Sequence, residues 1–462
     1  MMEIRQWLDR LTFSPKSIAP LVVFRILFGI MMLLSTIRFI NKGWVEELYV
    51  EPSYFFTYLG FDWVRPFDAT GMYMLFGILI TCCVFITVGF LYRFSATLFF
   101  LCFTYIELID KTNYLNHYYF ISLVGFLLVF LPANKYFSLD TYFKLTSKKK
   151  HTPAWTVHII MFQLAVVYVF AGIAKLNYHW LFEAQPLTNW LKHQTDLPLI
   201  GPLMNYEFTA YLFSWGGAAF DLSIPFLLMH SKLRLPGYIL VVLFHGLTAA
   251  MFPIGVFPFV MIISTLIFFP ESFHEKIIRS LHILFNVKNE QEISSTPAKK
   301  KNKKNIQASL IALYVAVQML VPIRYLFYDG DLFWTEQGYR FSWRVMLIEK
   351  VGYAQFYIHD PASDNKKLIN TRTYLTPQQE KMMATQPDMI LQFAHHLRDT
   401  YKDTIITENN GAQIKISDPK ITAEIYVSLF NKGSRLFINS DVNLSKIKRG
   451  FHAKDWVLKN ED

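Results

Sequence analysis

Read as a pattern of apolar and polar positions, the chain falls into two regimes that meet near Ile323. Before that point, apolar runs recur at about 20 residues each, the length a helix needs to cross the roughly 30 Å hydrocarbon core of a bilayer. They predict nine transmembrane helices, over 18–40, 70–91, 94–109, 117–133, 153–174, 210–230, 235–252, 254–270 and 307–323. Runs 235–252 and 254–270 are parted only by Pro253 and read either as two spans or as a re-entrant hairpin. Beyond Ile323 the pattern becomes ordinary and polar. Tyr353–Ile358 and Lys367–Asn370 read as strands around the turn DPASDN, and Gln413–Ile416, Thr422–Leu429 and Arg435–Asn439 read as further strands. Asn431-Lys432-Gly433 joins the last two as a hairpin. Thr376-Pro377-Gln378-Gln379 has the form of a capping box that starts a helix, and Pro387 divides it from a second helix over 388–401.

The predicted fold class is therefore a polytopic α-helical membrane protein with a C-terminal extracytoplasmic α+β, strand-rich domain. The membrane part is expected over 1–323 and includes a charged linker at 285–306; the outer domain is expected over 324–462. Composition agrees: 53% of residues are hydrophobic and only 17% charged, against about a quarter in soluble domains. The net charge of +10 gains its meaning from position. Basic tracts at Lys148–Lys150 and Lys299–Lys304 lie between apolar runs, where the positive-inside bias puts them in the cytoplasm. Alternate loops are basic-poor, so topology explains the charge better than nucleic-acid binding does. The N-terminus is predicted cytoplasmic and, with nine spans, the C-terminal domain extracytoplasmic. No cleavable signal peptide is expected, because 1–14 is polar and the first apolar run is long enough to span.

Ionisable groups inside a bilayer are costly and are functional candidates by default. Arg25, Glu107, His158, Asp221 and His245 form that set. The plainer reading makes Arg25 and Asp221 a structural ion pair and has the two histidines hydrogen-bond across helices. Cys82, Cys83 and Cys102 all fall within apolar runs, and no metal-ligand spacing is present, so no metal site is predicted. A glycine-rich nucleotide loop is absent as well; the 20 glycines are scattered through the spans, where they serve close helix packing.

Two segments at the expected outer membrane face carry candidate chemistry. One is Asp110 to His117, between the third and fourth spans; the other is Ala171 to Trp180, closing the fifth. A lysine at an interface ordinarily extends to water, and Trp and Tyr ordinarily anchor the headgroup belt. A Lys175 that points into the protein instead can be held as a free amine and serve as a base. His117 is the other group there able to move protons.

These segments also carry a resemblance. IDKTNYLNHYY at 109–119, ANKYFSLD at 133–140 and AGIAKLNYHW at 171–180 resemble the vitamin K-dependent gamma-carboxylase family in wording and order. FRILFG at 24–29, LYRF at 91–94, FDLSIPFLL at 220–228, FHGLTAAMFPIGVFPFVM at 244–261, WTEQGYRFSWRVML at 334–347 and EIYVSLFNKGSRLF at 424–437 extend it over nearly the whole chain. The resemblance is to a shorter, bacterial-type member with a membrane part of the HTTM type. It implies an integral membrane enzyme using reduced vitamin K (phylloquinone or menaquinone hydroquinone), O₂ and CO₂. In the family, a lysine deprotonates the hydroquinone, and reaction with O₂ gives a strongly basic species. That species takes a γ-proton from a glutamate of a protein or peptide; CO₂ then adds, and the quinone leaves as its epoxide. The division of labour is physically reasonable, because no side chain is basic enough for a γ-methylene at neutral pH.

The family's base falls by position on Lys175, and its supporting histidine on His117 with Asn116 beside it. Quinone-contacting positions fall on Phe257 and Met261, and the glutamate-associated region on Tyr339, Ser342 and Trp343. The implied partners are the lipid bilayer, a naphthoquinone and a glutamate-containing protein or peptide. Three departures stand out. The animal members continue beyond the position of Asp462, Ala174 stands where they have a lysine, and 324–462 has no cysteine for their disulfide. The cysteine-free outer part suits the periplasmic side of a bacterial inner membrane better than an endoplasmic reticulum lumen. Two alternatives remain beside the favoured function: a quinone epoxidase without carboxylation, and a non-catalytic quinone- or lipid-binding membrane protein.

Overall fold

The computed structural model describes residues 2–286, 301–359, 366–407, 413–415 and 418–460. Most of the predicted linker, Lys299 and Lys300 and the DPASDN turn lie outside the described residues.

Each of the nine predicted spans contains a helix. Seven are long and apolar enough to cross a membrane unaided: Ala19–Asn41, Ala69–Val88, Tyr92–Ile109, Trp155–Lys175, Glu207–Met229, Arg234–Met251 and Lys304–Phe327. The expected count of about nine compares with seven such helices, or eight with the bent segment below taken as one span, and one shorter apolar helix. Asn116–Phe130 has only 15 residues, about 22 Å of helix. Phe257–Ser264 continues as a tight turn through Phe268 and then bends by 108° into Glu271–Leu284.

That bent segment nevertheless runs from one end of the bundle to the other. Phe257 lies beside His117, whereas Glu271 accepts a bond from Ser17 N at 3.2 Å and faces Lys16 at 3.5 Å. Antiparallel to it, Arg234–Met251 begins near the same far end, where the rings of Tyr238 and Phe269 meet at 5.1 Å. The 235–270 stretch is therefore a pair of traverses, not a shallow hairpin. Between them Gly255 takes φ +66°, a left-handed conformation that glycine adopts without strain, and Pro258 opens the second helix. The sequence pattern missed an N-terminal helix, Met2–Phe13, and a short antiparallel pair, Pro15–Ser17 with His151–Pro153, at the same end as Lys16.

Arg25 and Asp221 are not partners. Fully buried Arg25 donates to the carbonyls of Ala133 at 3.3 Å and Phe137 at 2.7 Å, so it pins the 131–140 loop. The close approach of its guanidinium needs Gly89, whose added Cβ would sit 2.0 Å from Arg25 Nη1. The three cysteines are free and buried within the helices. His245 does bond across helices, at 3.0 Å from the Tyr168 hydroxyl.

At the opposite end, the C-terminal region forms an antiparallel four-stranded sheet in the order Lys366–Ile369, Lys350–His359, Lys420–Leu429, Ser434–Leu436. Helix Pro387–Tyr401 covers one face, with Phe393 edge-on to Phe356 at 5.0 Å. The predicted capping box is present at Thr376 and Gln379, opening Pro377–Met383. This core is continuous with Phe56, Trp180, Leu187 and Met204 from loops between the membrane helices. Burying those apolar groups together seats the sheet region directly on the bundle.

Candidate active site

Helix Trp155–Lys175 packs antiparallel on Glu207–Met229, close enough that a Cβ on Gly172 would meet Leu222 at 2.7 Å. This approach brings the last residue of one helix against the middle of the other. Lys175 Nζ donates to Asp221 Oδ2 at 2.7 Å, with residue exposures of only 5% and 6%. The other contacts of the ammonium are weak: the Ala171 carbonyl at 3.5 Å and the Trp180 ring, whose centroid is 5.3 Å away. Trp180 is fixed in turn, because its indole N–H donates to the Ser214 carbonyl at 2.7 Å and Ser214 Oγ bonds its backbone carbonyl. Lys175 therefore points inward beneath the 177–206 segment and does not reach for water at an interface.

The amine opens on a small cavity of about 80 Å³. Its walls are aromatic and aliphatic, with Phe213, Phe244, Phe252, Phe257 and Met261 among them; Tyr168 and His245 add polar groups. His245 Nδ1 is buried and has no partner. A second, larger cavity of about 510 Å³ is lined by Asn116, His117, Trp44, Tyr49 and Tyr118, and reaches the exposed side chains of Arg38 and Glu47. Ile254, Phe257, Val345 and Met346 line both, so they form the partition between the two. The Phe257 ring faces His117 on one side at 5.7 Å and His245 on the other at 5.6 Å.

The predicted residues thus divide. Lys175 and Met261 belong to the small chamber, His117 and Asn116 to the large one, and Phe257 to both. Asn116 is braced: its amide donates to the Arg344 carbonyl at 3.1 Å and accepts from the Tyr114 hydroxyl at 3.0 Å. Tyr114 Oη also receives the Phe341 amide at 2.8 Å, which ties the 339–346 segment to the start of the His117 helix. Tyr339, Ser342 and Trp343 themselves line neither chamber. Ser342 Oγ bonds the Tyr339 carbonyl, and Trp343 stacks on Tyr119 at 4.9 Å. Their neighbours Val345 and Met346 are the ones that reach the partition.

Sequence reasoning missed Asp221 as the partner of Lys175, along with Tyr168 and His245 as wall groups. The available signal was chemical: a buried lysine needs a carboxylate, and among the intramembrane candidates only Asp221 and Glu107 could supply one.

The front half of the Asp110–His117 segment has a different task. Lys111 Nζ donates to Gln392 Oε1 at 2.9 Å and pairs with Asp388 at 2.8 Å, and Gln379 donates to Asp110 Oδ2 at 2.7 Å. Burial lowers the Lys111 ammonium to about 8, and the Asp388 charge limits the fall. Burial raises the Asp110 carboxyl, against bonds from Thr112 and Gln379. For Asp388, burial also pushes upward, but Arg340 and Lys111 overcome it and hold the carboxyl well below the usual carboxylate range.

Among the described residues no group of three or more His, Cys, Asp or Glu side chains could hold a metal ion. No solved structure matches the chain. Residues 13–273, more than half of the chain, match the HTTM domain, and residues 303–462 match the lumenal domain of the vitamin K-dependent gamma-carboxylases. With both characteristic parts present in order, this chain belongs to the vitamin K-dependent gamma-carboxylase family.

Proposed function

We propose that the protein is an integral membrane enzyme that uses Lys175 as a base toward a reduced naphthoquinone and couples quinone epoxidation to carboxylation of glutamate in a protein or peptide. The observation that carries this reading is a buried amine with one close charged partner, Asp221 at 2.7 Å, opening on an aromatic chamber.

The residues fit a reduced naphthoquinone. Aromatic walls suit a planar bicyclic ring, the Lys175 amine and the unpartnered His245 Nδ1 are among the polar groups nearby, and no thiol lines either chamber. At about 80 Å³ the small chamber holds little more than a reacting edge, while the 510 Å³ chamber across Phe257 has room for a ring system. When bound, a reduced naphthoquinone with O₂ would supply a base strong enough for a glutamate γ-carbon, which no side chain here provides. The protein's own part is narrower. Once its proton has passed to Asp221 Oδ2 at 2.7 Å, Lys175 Nζ is a neutral amine able to accept a proton inside the chamber. Trp180 shields the pair from above, and Asn116, braced through Tyr114, orients the start of the His117 helix.

The charge distribution of the loops supports a cytoplasmic N-terminus and an extracytoplasmic sheet region. Lys16 and the His151–Pro153 pairing sit at one end of the bundle and the sheet at the other, as that orientation requires. A division of the chain near residue 323 is part of the same proposal.

The test is direct. Purified protein receives reduced phylloquinone or menaquinone with oxygen, and epoxide is followed by chromatography. Epoxide is expected with at least one of them; none with either, in folded protein, overturns the reading. One observation favours epoxidation without carboxylation: Ser342 and Trp343 are packed away from the cavities. Carbon dioxide incorporation into a glutamate peptide separates the two.

A further inference from the structure

A third cavity, of about 460 Å³, is bordered by the 335–341 segment. Its volume is in the roughly 300–1,000 Å³ range of small-molecule sites. Five cations line it, Lys111, Arg324, Arg340, Arg449 and Lys454, against two carboxylates, Asp388 and Glu336. The carboxylates are committed. Glu336 pairs with Lys350 at 3.2 Å, and Asp388 is shared by Lys111 at 2.8 Å and Arg340 at 2.9 Å. Arg449 takes Asp62, from outside the cavity lining, at 2.7 Å. Two cations facing the space make no ion pair within 4 Å among the described residues, and Lys454 senses Asp388 only at longer range. Arg324 donates to the backbone carbonyls of Val321 and Arg340, and Lys454 makes no ion pair among the described residues.

The rim is apolar. Leu108 and Val321 come from the ends of membrane helices; Phe61 and Phe451 are 39% and 75% exposed. Leu326 and Phe327, at 68% and 85%, extend the exposed apolar surface next to Arg324. Cationic depth with an apolar rim at the ends of membrane helices matches an amphiphile, with an anionic head and a hydrocarbon body. A soluble acidic peptide would satisfy the charge but leave the rim in water.

We propose that this cavity binds the phosphate headgroup of an anionic phospholipid, held by Arg324 and Lys454, with the acyl chains lying against Leu108, Val321 and Phe451. The bound lipid would fasten the sheet region to the outer leaflet beside the reaction chambers. The site stands on the membrane architecture and the charge imbalance, and does not depend on the role of Lys175.

The experiment uses the full chain in a neutral detergent, with phosphatidylglycerol and phosphatidylcholine offered as single lipids and binding read by native mass spectrometry. Wild type should retain phosphatidylglycerol on the order of tenfold more tightly than phosphatidylcholine. Arg324→Gln with Lys454→Gln should remove that preference, and Lys454→Glu alone, at a partly exposed and unpaired position, should reduce it without unfolding the protein. Phe451→Ser should weaken phosphatidylglycerol while leaving binding of glycerol 3-phosphate unchanged, which separates a lipid from a free phosphate. Equal retention of the two lipids by wild type, or an unchanged preference in the charge variants, overturns the proposal. Displacement of phosphatidylglycerol by a soluble polyglutamate peptide also overturns it, in favour of a peptide site.

Discussion

Lys175 and Lys111 are both buried lysines, 5% and 3% exposed, and each has a carboxylate oxygen within 2.8 Å. Their surroundings nevertheless differ, and the proposed function gives them different tasks. Lys111 has a second acceptor in Gln392, and its partner Asp388 is shared with Arg340 and keeps 37% of its side chain exposed. That network joins the Tyr92–Ile109 helix end to helix Pro387–Tyr401. Lys175 has one close acceptor, in a carboxylate that is itself buried, and an aromatic chamber in front of it. Burial and pairing alone do not mark a catalytic base. In the proposed reading the setting separates them: Lys111 is held between two side-chain acceptors, whereas Lys175 has one close acceptor, itself buried, and faces an aromatic chamber.

The largest effect that sharpens the contrast is at Lys175. Lys175→Ala should lower epoxide formation by about 10²–10⁴-fold, the ordinary share of a general base, with quinone binding retained. Lys111→Met should leave turnover per folded molecule unchanged. Asp221→Asn comes next. It keeps a hydrogen-bond acceptor for Lys175 but removes the place where the proton is held, so turnover should fall while the quinone KM stays near its original value. At the polar network the effect is on stability. Lys111→Met leaves the buried Gln392 Oε1 without its donor and removes one partner of the half-exposed Asp388, and should lower stability by about 1–3 kcal/mol.

The smallest effect is the pH dependence of that network. The Asp388 carboxyl is held below its ordinary range, so the folded protein binds fewer protons than the unfolded chain near pH 4. Its contribution is present above that pH and is lost on acidification, and the exposure of the side chain limits its size. Lys111 acts at the alkaline end. Its folded value of about 8 lies below the roughly 10.4 of a free lysine, so the unfolded chain binds more protons between the two and stability rises with pH there. A thermal melt series should show that rise in wild type and not in Lys111→Met.

The sequence revealed the helices well, because a 20-residue apolar run allows few other structures in lipid. It revealed the strands and the capping box at Thr376 for a similar reason: alternation and turn chemistry act locally. Span lengths were less legible. The bend after Phe268 and the shortness of Asn116–Phe130 depend on what packs beside them, and hydropathy counts only composition. Partner choice was the weakest point. Arg25 and Asp221 looked complementary as isolated charges, yet Arg25 found the 131–140 carbonyls and Asp221 found Lys175, since helix packing decides which polar groups meet. The division of Lys175 and His117 between two chambers, with Phe257 in the wall, involves residues far apart in the chain, and periodicity does not encode it. The resemblance identified these residues as a set without indicating that a ring separates them.

The proposed function makes Lys175, and not the equally buried Lys111, the base. Epoxide formed from a reduced naphthoquinone by purified Lys175→Ala and Lys111→Met, each normalised to folded protein, tests it most directly. Loss of epoxide in the first with wild-type yield in the second is the predicted result; wild-type epoxide formation by Lys175→Ala would contradict it.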